Sequence, residues 1–156
     1  MHIWYTSNTL FNTSTERDEV TLRLWNNLIN PDDNVIVLGN FIRGELDDIV
    51  KFCNQLKGKI HVVIGKKERK FKAKLLKAQS LCDSIVRVET NSLNYPHFEA
   101  TVNYKKTERY TLFGEFRDHE LPPNMNCVDW DLNSGPVDGF HALHHAKIYN
   151  QLRSLH

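Results

Sequence analysis

Val35-Ile36-Val37-Leu38-Gly39-Asn40 is an unbroken aliphatic run that ends on a glycine and an amide. No polar residue alternates within it, so it reads as a strand buried on both faces, as in parallel sheets covered by helices. A second run of the same kind, Ile60 to Ile64, stops at Gly65. A third, Ile3 to Ser7, opens the chain and leads into the polar loop NTLFNTSTE at 8–16.

Amphipathic segments separate these runs. Thr15 and Asp18 have the spacing of a capping box, and a helix is predicted over about 17–30, with Val20, Leu24 and Leu28 as its inward stripe and Trp25 and Ile29 beside it. Asn30-Pro31-Asp32-Asp33 ends it. A second helix, about 45–56, turns Leu46, Ile49, Val50, Cys53 and Leu56 inward, and Lys57-Gly58 closes it. A basic helix follows over about 68–79, with Phe71, Leu75, Leu76 and Ala78 as its packed face. Strand and helix thus alternate three times, which predicts a largely parallel sheet with crossover helices. The second half reads differently. Ile85–Val88, Glu99–Tyr104, Tyr110–Phe113 and Cys127–Asp131 look like short strands, a pattern that favours antiparallel hairpins. A helix over about 140–152 ends the chain.

Length and composition fit one globular domain spanning residues 1–156. Of the 156 residues 40% are apolar and 25% charged, with a net charge of +1, so overall charge points to neither nucleic acid nor membrane. Cys53, Cys82 and Cys127 are odd in number and form no CxxC pair, which predicts free thiols in a reducing compartment. The start MHIWYTSN lacks the basic leader and apolar segment of a signal peptide. No apolar run reaches the roughly 18 residues of a membrane span. The expected location is the cytoplasm, of a cell or of an infected host.

Ligands of open α/β sheets bind at the carboxyl ends of the strands. Here those ends read Ser7-Asn8-Thr9-Leu10, Leu38-Gly39-Asn40 and Ile64-Gly65-Lys66-Lys67-Glu68. Further on come Asn94-Tyr95-Pro96, Gly114-Glu115-Phe116-Arg117, Cys127-Val128-Asp129 and Gly135-Pro136-Val137. The series resembles the calcineurin-like metallophosphoesterases, especially their small bacterial and phage members. Their motifs run S-D-x-H, L-G-D, G-N-H-D/E, a histidine before Tyr-Pro, and G-H-x-H. The resemblance covers nearly the whole chain in order. It implies a compact four-layer α/β/β/α sandwich and a cleft that, in the family, holds two divalent ions.

The framework residues match, and the ligand positions do not. Carried over by motif, the first aspartate is Asn8 and its partner histidine Leu10. The bridging aspartate is Asn40, the asparagine ligand Lys66, and the histidine beside the leaving group Lys67. The histidine before Tyr-Pro is Asn94, and those of G-H-x-H are Glu115 and Arg117. Two dications clamping a phosphate need carboxylate, imidazole or amide oxygen donors. Leu10 has no donor atom, Lys66 and Arg117 repel a cation, and Asn40 lacks the charge of a bridging carboxylate. The implied protein is a pseudoenzyme with no catalytic residues, no metal and no cofactor. The same carry-over leaves Glu115 facing Lys66, Lys67 and Arg117, which predicts a cationic cleft able to attract a phosphate it cannot cleave. The competing reading is that Lys66 and Arg117 pair with Glu68 and Glu115 and seal the pocket.

Nine of the 20 basic residues fall within 57–77, opposed there by Glu68 alone. Lys66, Lys67, Arg69, Lys70, Lys72 and Lys74, with Arg117, form the candidate binding surface; its alternative is an ordinary solvated helix face. Carboxylates cluster elsewhere: Glu45, Asp47 and Asp48 open a helix, where they suit its dipole, and Asp118, Glu120, Asp129, Asp131 and Asp138 come late. His141, His144 and His145 share a helical face without the glutamate of an HExxH frame. His61 reads as structural, and His97 and His119 lie near the matched motifs without falling on them. The resemblance to phage members implies an accessory protein that binds and modulates a host macromolecule. A host protein is the favoured partner. Non-cleaving binding of nucleic acid or nucleotide is the alternative, and a phosphoesterase with an altered site is the third reading.

Overall fold

The structure is a computed structural model that describes residues 1–117 and 120–155. Asp118 and His119, both noted above, lie outside the described residues. In chain order the elements are β1 (Ile3–Thr6), α1 (Thr15–Leu28), β2 (Asn34–Leu38), α2 (Leu46–Cys53), β3 (Lys59–Ile64), α3 (Arg69–Leu81) and β4 (Ile85–Thr90). Then come β5 (Ser92–Asn94), β6 (Glu99–Thr101), β7 (Thr111–Phe113), β8 (Met125–Cys127), α4 (Trp130–Asn133), β9 (Val137–Asp138) and α5 (Gly139–Ser154).

Two sheets result, ordered β4-β3-β2-β1-β9 and β5-β6-β7-β8. β1 to β4 are parallel, and β9 joins β1 antiparallel. The unbroken apolar character of β2 and β3 follows from their position between two cores, because successive side chains point to opposite faces. Val35, Val37, Ile60, Val62 and Ile64 meet Trp25, Ile49, Cys53, Leu75 and Ala78 of α1, α2 and α3. Ile36, Leu38 and Val63 face Leu93, Ala100 and Leu112 of the second sheet, and Ala142 and Ala146 of α5 complete that core. The domain is therefore mixed α/β, with two sheets and five α-helices among the described residues. Among the described residues no helix is long and apolar enough to cross a membrane. All three cysteines are free and buried; burial pushes the Cys53 thiol up to about 12, with Cys82 beside it.

Five expectations need correction. The cap of α1 is Ser14, whose hydroxyl accepts from Arg17 N, and Asp18 instead accepts from the backbone of Asn12. The inward stripe of α1 is Thr21, Trp25 and Ile29, while Val20, Leu24 and Leu28 are exposed. Leu76 of α3 is exposed as well. In the second half β5 and β6 form a hairpin, whereas β6–β7 and β7–β8 are parallel and β4 belongs to the first sheet. Residues 95–98 make a hairpin-sized turn, whereas the parallel pairs are joined by the longer connections 102–110 and 114–124. Past Cys127 the chain is not a strand but turns into α4.

Candidate functional site

The loop after β1 is tied to the end of β2 by its backbone. Asn8 N donates to Gly39 O at 3.0 Å and Leu10 N to Asn40 O at 3.0 Å. Asn8 and Asn40 take left-handed conformations, φ 56° and 51°, which asparagine tolerates. Leu10 does so too, φ 49°, at a cost of about 1–2 kcal/mol. The second sheet arrives through Gly114, whose carbonyl accepts from Ser7 Oγ at 2.7 Å and Asn8 Nδ2 at 3.0 Å. A β-carbon at Gly114 would lie 1.8 Å from Leu38 O, so only glycine allows this approach.

Four side chains then form one hydrogen-bonded line. Asn8 Nδ2 donates to Asp129 Oδ2 at 2.6 Å, Asn40 Nδ2 to Asn8 Oδ1 at 2.8 Å, and Arg43 Nη2 to Asn40 Oδ1 at 3.1 Å. The orientation of both amides follows from the ends. The Gly114 carbonyl only accepts, so the Asn8 amino group must face it. Arg43 only donates, so it must meet the Asn40 oxygen. Glu68 closes the line, accepting from Asn40 N at 3.2 Å and lying 3.9 Å from Arg43. At the other end Arg17 binds Asp131 and the Asn8 carbonyl.

A cleft of about 490 Å³ opens over this line. Of the residues expected there, Asn8, Leu10, Asn40, Lys67 and Glu115 line it; Lys66, Asn94 and Arg117 do not. Asn94 is displaced by register: Ser92 pairs Thr101 at the Gly114 end of the sheet, and Asn94 pairs Glu99 at the far end, where its oxygen accepts from Arg109. Lys66 sits exposed on the 3-10 turn Lys66–Glu68. Arg117 turns away to lie 3.8 Å over the Tyr104 ring. The cationic cleft is overturned with them, since among the described residues Lys67 is its one lining cation against Glu115, Asp129 and Asp131. The sealing pairs do not form either: Glu115 accepts from Tyr104 N at 2.7 Å, and Glu68 is held by Asn40, Gly65 and Arg43.

The two divalent ions implied by the resemblance do not fit this donor set. Both amide oxygens already accept N–H bonds, Asp129 is buried and spent on Asn8 and Leu132 N, and Leu10 offers nothing. Among the described residues no group of three or more His, Cys, Asp or Glu side chains is placed to hold a metal ion. His141, His144 and His145 are exposed on α5, and His61 of β3 contacts Asn34 at 2.8 Å, its charged form disfavoured by burial and by Arg87.

Sequence reading missed Asp129 as a partner of Asn8, and Arg43 altogether. Asp129 lay within a matched fragment, but no spacing linked it to a residue 121 positions away. Arg43 carries no motif. Of the basic segment, Lys72 donates to Thr90 and Lys74 to Gly44 O, while Lys66, Lys67, Arg69 and Lys70 are exposed.

No family model matches the chain, and no curated protein does. Among solved structures it is similar to a protein of unknown function, AQ665 from Aquifex aeolicus. The two are 14% identical with a TM-score of 0.67, over 90% of this chain and 96% of that one. At that identity the likeness speaks to the fold alone.

Proposed function

We propose that this protein is a catalytically inactive phosphoesterase-like domain that acts by binding, as a phage accessory protein engaging a host protein. The carrying observation is the line Asp129–Asn8–Asn40–Arg43. In it, amide-to-amide and guanidinium bonds take up the oxygens that a metallophosphoesterase gives to its ions. On this reading the two facing sheets correspond to the inner layers of that family's sandwich. The rim supports a protein partner: Phe116 lines the cleft and is 54% exposed, beside Glu115 and near Asp131. An exposed aromatic flanked by carboxylates suits a protein contact better than a polyanion.

Two measurements test this. Turnover of a generic phosphodiester with Mn²⁺ should equal the buffer blank; turnover that a chelator abolishes would refute the loss of catalysis. Tagged protein should retain a specific protein from a bacterial host lysate with or without nuclease, and Phe116→Ala should release it. Retention that nuclease removes would refute the protein partner.

A further inference from the structure

On the far side of Lys67 from the cleft lies a second pocket of about 370 Å³, lined by Arg43, Lys67, Glu68, Lys70, Phe71 and Lys74. We infer that this pocket seats a phosphate of a single-stranded nucleic acid, independently of the protein contact proposed at the cleft rim. Four cations converge on one concavity that holds one carboxylate. That carboxylate, Glu68, is already bound by the backbones of Asn40 and Gly65 and lies against Arg43. Lys67 and Lys70 are exposed and have no acidic partner among the described residues. Lys74 is fixed at the rim by Gly44 O at 3.1 Å and contacts Glu45 at 3.6 Å, a carboxylate that is itself 86% exposed and so weakly neutralising.

A strand fits better than a small anion or a duplex. Lys70, Lys74 and Lys77 recur at helical spacing on α3, with Lys67 on the turn before it, so the cations continue beyond the pocket along the helix. A pocket of about 370 Å³ takes a segment of one backbone, with the flanking phosphates passing over the row. Phe71 is not free to stack a base, because Lys74 Nζ and Arg43 lie 5.2 Å and 6.0 Å from its ring. Recognition is therefore of the backbone and independent of base sequence. The surface differs from the sequence expectation: Arg43 joins it, Arg117 leaves it, and Lys72 is turned to Thr90.

The test is fluorescence anisotropy with a labelled single strand of about 12 nucleotides. Wild type should bind, and Lys67→Ala/Lys70→Ala should weaken binding about tenfold or more. The slope of log affinity against log salt should fall by about 1.4, the loss of two phosphate contacts. Lys105→Ala/Lys106→Ala removes the same charge from an exposed loop elsewhere and should stay within about twofold of wild type. Equal losses in both variants, no binding by wild type, or equally tight competition by polyglutamate of matched charge would each overturn the proposal. The last would indicate an acidic protein segment as the occupant.

Discussion

Leu10 holds a left-handed backbone that leucine disfavours, in a loop whose Asn8 donates directly to the buried carboxylate of Asp129. Its neighbour Asn8 explains the geometry: the side chain must reach Gly114, Asp129 and Asn40 at once. Replacing Asn8 with Asp would turn its donor into a second carboxylate against Asp129. Like charges raise one of the two pKa values in the folded state, so the loss appears as pH rises. Asn8→Asp is expected to lower stability by about 2–3 kcal/mol at pH 7 and by less at pH 4.5, in urea melts at both; a deficit independent of pH would contradict the stated contact. Asp33 titrates in the opposite sense. Burial alone would raise its pKa, but bonds from Asn30 N, His2 N and Trp4 Nε1 hold it below the ordinary value. A lowered pKa stabilises the fold above the unfolded value of about 3.9 and ceases to do so as pH falls through the folded one. Asp33→Asn should therefore lower the Tm at pH 7, with the gap to wild type closing below about pH 4.

At the scale of elements, capping and facing show what sequence could and could not deliver. Ser14 and Thr15 are adjacent and chemically alike; backbone geometry, extended at Ser14, selects the cap. Ser14→Ala should cost about 1 kcal/mol and Thr15→Ala clearly less, by thermal denaturation. The buried stripe of α1 was hidden by its own composition. Thr21 interrupts it, while the exposed set Val20, Leu24 and Leu28 is wholly aliphatic. The strands β2 and β3 were legible because burial on both faces forces an unbroken apolar run. The pairing of β6, β7 and β8 was not, since three-residue strands carry too little pattern and only their connections set direction. The site was half legible. Asn8, Leu10, Asn40 and Lys67 sit at strand ends, which topology places together, whereas Asn94 depended on register, and Arg117 on a side-chain rotation toward Tyr104.

For the whole molecule, closure of the two sheets is the controlling event. Val102 lies against Gly39 and Gly65, where a β-carbon would meet its methyl at 2.8 Å and 3.0 Å, and Gly114 abuts Leu38 O. Gly114→Ala should cost at least about 3 kcal/mol, or prevent folding, because backbone rather than a pliable side chain blocks the new methyl. The same closure separates two chemical environments on either side of Lys67: a cleft of amides and carboxylates, and a pocket of cations. Everything proposed for the cleft rests on its oxygens being committed to N–H donors. Diffraction from crystals soaked in Mn²⁺, recorded for its anomalous signal, reads that directly. The expected map is featureless around Asn8, Asn40 and Asp129; a pair of peaks about 3.5–4 Å apart there would mean that the cleft binds two metal ions.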